Sequence, residues 1–255
     1  TTDWYVQQAR EQPGEADSSW IVYCAMLEAL DRKLGRLVEH LERLGQYERT
    51  VFFVVSDNGT PTKILRRAVE RDELDLGPVV PELLRSGQER FKHTVWETGV
   101  RVPLIVSGPV VSAPGRTSDA LVDAPDLFET IRELLGVPHE TVVDDQRAFD
   151  GLSLLPLLRD PAARSARRFS LVERFEPGGN PETIVYRPGE MSQKYERRIG
   201  FVLETEEGRF KLIRNLDETG QSGDLLFRLT DAEGLPHDPW ELDAIPNRGQ
   251  ANQQR

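Results

Sequence analysis

Thr50-Val51-Phe52-Phe53-Val54-Val55-Ser56-Asp57-Asn58-Gly59 is the stretch on which the fold turns. Its first seven residues form a short, uninterrupted β-branched and aromatic run, the pattern of a strand buried on both faces of a parallel sheet. The run stops at Asp57-Asn58-Gly59. Polar residues and a glycine directly after a buried strand lie at its carboxyl end, where open α/β sheets place ligands. Asp57 and Asn58 offer adjacent hard oxygen donors, chemistry suited to Ca²⁺ or Mg²⁺. Asp-Asn-Gly is also good turn chemistry, so the tripeptide alone supports either reading.

Upstream of that strand, Ile21, Met26, Leu30, Leu34, Leu37, Leu41 and Leu44 recur at three- to five-residue intervals. This spacing predicts a helix over Ser19–Leu44, closed by Gly45 as a C′ glycine. Downstream, Thr60–Arg90 is charged and only weakly periodic, with Pro78 and Pro81 interrupting it, and reads as a mobile insertion over the strand end. Arg101–Ser107 gives a second apolar strand closed by Gly108-Pro109, and Asp123–Leu135 a helix closed by Gly136. Alternation of strand and helix predicts an α/β fold.

After about Asp160-Pro161 the character changes. Phe169–Glu173, Thr183–Tyr186, Ile199–Glu204 and Arg209–Arg214 read as strands separated by Gly, Pro and Asn, with Glu206-Glu207-Gly208 as a hairpin turn. The expected division is an α/β portion over residues 1–165 and a small antiparallel subdomain over 166–255. The polar tail Asn247–Arg255 is expected to fray.

Composition narrows the function classes. The 255 residues are 38% hydrophobic and 29% charged, with a formal net charge of −11. Such a chain can bury a core, and its charge argues against a nucleic-acid partner, which needs clustered Lys and Arg. No apolar run approaches the roughly 18 to 20 residues that cross a bilayer. One cysteine, Cys24, excludes an internal disulfide and a Cys-based metal site. The compartment stays open.

The second chemistry-bearing segment is Lys92-His93-Thr94-Val95-Trp96-Glu97-Thr98-Gly99-Val100-Arg101-Val102-Pro103. Ser56-Asp57-Asn58-Gly59 after an apolar strand, followed by Lys-x-Thr-x-aromatic-Glu-x-Gly-Val-Arg-Val-Pro before another, resembles the sulfatase family of the alkaline phosphatase superfamily. Further likenesses support it: Tyr23–Gly35, Asp126-Leu127 with Leu134-Leu135-Gly136, Asp150–Leu158, Gly208–Ile213, Leu226–Leu229 and Asp238-Pro239-Trp240-Glu241. The resemblance implies part of an alkaline-phosphatase-like mixed sheet flanked by helices, plus a small C-terminal antiparallel α+β subdomain. It implies that Asp57 and Asn58 coordinate a divalent metal, usually calcium, and that Lys92 contacts the sulfate. Glu97 and Arg101 fit a structural role, pairing with each other or holding the loop. His93 stands where the family usually has a small residue and is not assigned to catalysis.

The activity so implied is that of a metal-dependent, arylsulfatase-like sulfuric ester hydrolase acting on a small sulfate ester or a sulfated glycan. A phosphonate or phosphate ester hydrolase of the same superfamily is the alternative enzyme, and a sulfatase-like binding module without a nucleophile the alternative of another class. The family nucleophile is formylglycine, made from Cys or Ser in a Cys/Ser-x-Pro-x-Arg motif upstream of the Asp-Asn strand. Cys24 is followed by Ala25-Met26-Leu27-Glu28 and does not fit it. Ser112-Ala113-Pro114-Gly115-Arg116 matches the letters but lies downstream of the metal motif, in a Pro/Gly-rich loop. The expectation is therefore a fragment whose formylglycine-bearing N-terminal half lies upstream, inactive alone and prone to self-association or to pairing with that missing half through exposed apolar faces.

Overall fold

A computed structural model describes residues 7, 15–70, 79–85, 90–139, 149–175, 197–216 and 222–245. The strand expected over Thr183–Tyr186 and the tail Asn247–Arg255 lie outside the described residues. The chain divides into two compact units, Thr1–Pro109 and Val110–Arg255. The boundary expected after residue 165 falls inside the second unit.

The first unit begins with α1 (Glu15–Arg43). Its end is a Schellman cap: the Gly45 amide donates to the Glu42 carbonyl at 2.9 Å and the Gln46 amide to the Leu41 carbonyl at 2.9 Å. Gly45 takes φ +63°, which only glycine adopts freely. A 3₁₀ turn at Tyr47–Arg49 leads into β1 (Phe52–Val55). Next come α2 (Thr62–Glu70), α3 (Val79–Arg85), the single helical turn α4 (Glu97–Val100) and β2 (Leu104–Ser107).

Two expectations are corrected here. The apolar run at 50–56 predicts a parallel strand covered on both faces, but β1 pairs antiparallel with β2, Val54 opposite Ile105 and Val55 opposite Leu104. Opposed residues share a face, so Phe52, Val54 and Ile105 form one apolar face and Phe53, Val55, Leu104 and Val106 the other. Both faces are built for burial, yet Val54, Val55 and Ile105 stay 39%, 48% and 59% exposed. Among the described residues the sheet has only these two strands. An apolar run encodes burial on two faces, not the direction of its neighbour.

The second correction concerns Thr60–Arg90. Its described residues form α2 and α3 rather than a mobile insertion: Ala68 of α2 is buried, and so are Val80, Leu83 and Leu84, which recur at helical spacing in α3. Val80, Leu83 and Leu84 pack with Phe91 into a core, joined by Leu65 and Val69. Pro81 falls in the first turn of α3, where its missing N–H breaks no bond.

The second unit holds α5 (Ala124–Leu134), α6 (Leu155–Arg159) and a four-stranded antiparallel sheet in the order β3 (Phe169–Phe175), β4 (Arg197–Thr205), β5 (Gly208–Leu216), β6 (Ser222–Arg228). A reciprocal capping box starts α5: the Asp126 carboxylate accepts from the Asp123 amide at 2.8 Å, and the Asp123 side chain caps the first turn. Gly136, at φ +64°, ends it.

Asp126 does more than cap. It is 1% exposed and takes an ion pair from buried Arg167, whose Nε donates to Asp126 Oδ2 at 2.9 Å. Arg167 also donates to the Asp150 carbonyl at 2.6 Å, and Asp126 Oδ1 accepts the Leu152 amide at 2.8 Å. Hydrogen bonding to that carboxylate is the leading reason the Arg167 pKa stands above the ordinary arginine value, outweighing burial. Thr130, one turn along α5, accepts the Leu154 amide at 2.8 Å. The Asp150–Leu155 segment is thus stapled to α5 by buried polar groups, and Gly151 is required because a Cβ there would meet the Pro125 carbonyl at 2.5 Å. Ser170 on β3 donates to Asp123 Oδ2 at 2.7 Å, which ties the antiparallel sheet to the same helix end.

The closing Asp238-Pro239-Trp240-Glu241 turn has an equally physical basis. Asp238 accepts the amides of Leu242 at 2.8 Å and Asp243 at 3.0 Å. Glu241 is turned inward and pairs at 3.0 Å with Lys211 of β5, both of them all but inaccessible to water. No described helix is long and apolar enough to cross a membrane.

Candidate functional site

The carboxyl end of β1 delivers the Asp57-Asn58 turn. Ser56 Oγ donates to the Asn58 carbonyl at 3.0 Å, and the Asn58 side-chain amide donates to the Gly59 carbonyl at 3.0 Å. The amide oxygen of Asn58 is then the atom of that side chain available to a cation. Asp57 is exposed and Asn58 half-buried.

The turn is joined to the Lys92 segment through the main chain. Ser56 donates to the Pro103 carbonyl at 3.4 Å, Gly59 to the Gly99 carbonyl at 2.8 Å, and Lys92 to the Thr60 carbonyl at 3.3 Å. The two motifs, more than thirty residues apart in sequence, therefore meet. Both glycines are demanded by the junction. A Cβ on Gly59 would run into the Thr98 carbonyl, and one on Gly99 would lie 2.5 Å from the Phe91 carbonyl and 2.7 Å from Thr94 Oγ1. Such distances leave no room for a methyl group.

Lys92 is held by its neighbours. Phe91, 2% exposed, is anchored in the Val80, Leu83 and Leu84 core, and Thr94 Oγ1 donates to the Phe91 carbonyl at 2.6 Å. His93 turns the chain at φ +69°, a left-handed conformation uncommon outside glycine. The chain reverses immediately after Lys92, which itself stays half-buried. The imidazole of His93 is exposed.

Glu97 and Arg101 both belong to the closing turn: the Arg101 amide donates to the Glu97 carbonyl at 2.8 Å. The sequence alone does not reveal the parts that shape the loop: Phe91 as a core anchor, the Gly59 and Gly99 contact, and the Arg90 guanidinium 4.1 Å from the centre of the Trp96 ring. Gly99 and Phe91 carried a signal, a glycine and an aromatic inside a functional-looking segment, but not its meaning.

A family model described as Sulfatase matches residues 2–137, which contain both motifs. The chain belongs to the sulfatase family. It is 33% identical to the steryl-sulfatase of Mus musculus over 147 residues, 58% of this chain and 22% of that protein. It is 29% identical to an uncharacterized sulfatase of Schizosaccharomyces pombe over 138 residues, 46% of this chain and 25% of that protein. With the N-acetylglucosamine-6-sulfatase of Homo sapiens the identity is 28% over 182 residues, 69% of this chain and 28% of that protein. This sulfatase chain spans about a quarter of the length of the curated relatives it matches.

Donor chemistry decides how far this sulfatase chain could hold a metal. The Asp57 carboxylate and the Asn58 amide oxygen are hard donors of the kind Ca²⁺ and Mg²⁺ take, but Ca²⁺ wants about six to eight oxygens. Among the described residues no group of three or more His, Cys, Asp or Glu side chains gathers. The pair fits a divalent cation in kind and would supply two donors of a larger set. Ser112, where the letters of the nucleophile motif recur, is engaged in the fold. The Ser112 amide donates to the Leu158 carbonyl at 3.0 Å, its hydroxyl to the same oxygen at 3.4 Å, and the Arg116 guanidinium to the Leu157 carbonyl. Ser112 and Arg116 thus clamp a loop to α6.

Proposed function

We propose that this chain is the metal- and sulfate-contacting portion of a sulfuric ester hydrolase of the arylsulfatase type. The observation that carries the reading is the main-chain junction between the Asp57-Asn58 turn and the Lys92 loop. In this reading Asp57 and Asn58 hold a divalent cation, Ca²⁺ or Mg²⁺, which when bound withdraws charge from the ester oxygens. The Lys92 ammonium approaches those oxygens and offsets the negative charge that grows as the sulfur–oxygen bond breaks. With the Lys92 main chain fixed by Phe91 on one side and the His93 reversal on the other, only the side chain has to adjust to do so.

The nucleophile, a formylglycine, is placed outside these 255 residues, on a segment upstream of Thr1. That segment would also add strands to the β1 and β2 pair, giving the mixed sheet of the alkaline phosphatase superfamily. Support comes from the pair itself, whose two apolar faces leave Val54, Val55 and Ile105 open to solvent. The substrate is a small sulfate ester or a sulfated glycan. Relatives named as steryl- and N-acetylglucosamine-6-sulfatases are consistent with either. The test is hydrolysis of an aryl sulfate by the purified chain and by the same chain extended upstream. We expect no turnover from the first and turnover from the second; an enzyme-like rate from the chain alone, free of contamination, would refute the placement of the nucleophile.

A further inference from the structure

We infer that the stack of Arg90 on Trp96 is the positioning element that sets where Lys92 stands, an inference resting on the reading of Lys92 as the sulfate contact. Lys92 lies inside a loop running from Arg90 to Thr98, and that loop is closed at its ends twice over. The Arg90 guanidinium lies 4.1 Å from the centre of the Trp96 ring, well within cation–π range. Thr98 Oγ1 donates to the Arg90 carbonyl. One contact joins side chains and the other fastens the main chain, so Arg90 is tied to the far limb of the loop in two independent ways.

What this closure controls follows from the other restraints on the loop. Phe91 is sunk in a core and the Lys92 amide is bound to Thr60, so the near limb is already fixed to α3 and to the Asp57 turn. The far limb is fixed at Gly99, packed on Phe91 and bound to Gly59. Between them, the Arg90 to Trp96 stack spans the loop mouth and sets the spacing of its limbs. Losing the stack would leave these main-chain anchors in place and release the segment between them, so that the Lys92 side chain is no longer held in one place relative to Asp57 and Asn58. A misplacement of about 1 Å in a catalytic arrangement is enough to cost about 100-fold in rate. Arg90 and Trp96 are therefore positioning residues, acting through Lys92.

The test uses the full chain and its small number of lysines: Lys33, Lys63, Lys92, Lys194 and Lys211. Reductive methylation with ¹³C-formaldehyde makes each accessible lysine an NMR reporter, and Lys92→Ala assigns the Lys92 signal by its loss. Sodium sulfate is the probe. The Lys92 resonance should move saturably with sulfate, and Arg90→Ala or Trp96→Leu should raise the half-saturation concentration about tenfold, with the thermal midpoint little changed. Arg90→Lys, which keeps a cation over the ring, should recover most of the affinity, a rescue that a purely structural role would not produce. Unchanged half-saturation in both Arg90→Ala and Trp96→Leu, with Lys92 still responding, overturns the inference alone. A wild-type Lys92 signal indifferent to sulfate overturns the sulfate-contact reading and this inference with it.

Discussion

Glu241→Ala is expected to cost the chain about 3–5 kcal/mol of stability, the usual penalty for stranding a buried charge. Lys211 and Glu241 are 0% and 1% exposed and 3.0 Å apart. Neither charge sees water, and the two form a buried pair. Removing the carboxylate leaves the ammonium of β5 beneath a sheet whose other covered residues, Val202, Ile213 and Phe227, are apolar. Glu241 also adopts φ +56°, but alanine shares that conformational burden, so the difference reports the lost pair rather than the backbone. Urea denaturation of the full chain measures it. The double replacement Lys211→Met with Glu241→Leu should recover most of the loss, because no charge is then buried. A single-variant loss under about 1 kcal/mol would mean that water reaches the pair, as at a surface ion pair.

Lys92→Ala should lower turnover of an aryl sulfate by about 100- to 1,000-fold in the polypeptide that carries the nucleophile, the effect of deleting one charge-stabilising donor. Folding should be nearly unaffected. The side chain is half-buried, while the neighbouring Phe91 and the Lys92 amide, which anchor the loop, are untouched by the change. The drop should fall on kcat as well as kcat/KM, since in the proposed reading the ammonium acts on charge that grows in the transition state. A near-wild-type rate would remove Lys92 from the site.

The sequence made the main elements legible wherever one local pattern determined the answer. Helical spacing of apolar residues with a following glycine marked α1 and α5, since a Schellman cap is local chemistry. The strands β3, β4 and β5 were visible for the same reason, as was the turn after Thr205. Strand direction was not local: the run at 50–56 says that both faces want cover, while its antiparallel partner lies some fifty residues away. The helices of 62–70 and 79–85 were obscured because charged residues and Pro81 hid a short apolar stripe that makes sense only against Phe91.

At the site, residue types were legible and geometry was not. Asp57, Asn58 and Lys92 stand out by their setting after or before a strand, but their junction runs through main-chain amides and through glycines that must remain bare. The structure also gives the supporting motifs a physical meaning. Asp126 and Asp238 are capping carboxylates, and Glu241 neutralises a buried lysine, so these positions serve the fold.

The central claim, that the Asp57-Asn58 turn and the Lys92 loop serve sulfate ester cleavage, is tested most directly by one ratio. It is kcat/KM for an aryl sulfate against kcat/KM for the matching aryl phosphate, measured on the upstream-extended polypeptide with Ca²⁺ present. A ratio well above one, collapsing in Lys92→Ala, is the predicted result. A ratio well below one would assign the site to phosphate or phosphonate esters, and no turnover of either ester would contradict the enzymatic reading altogether.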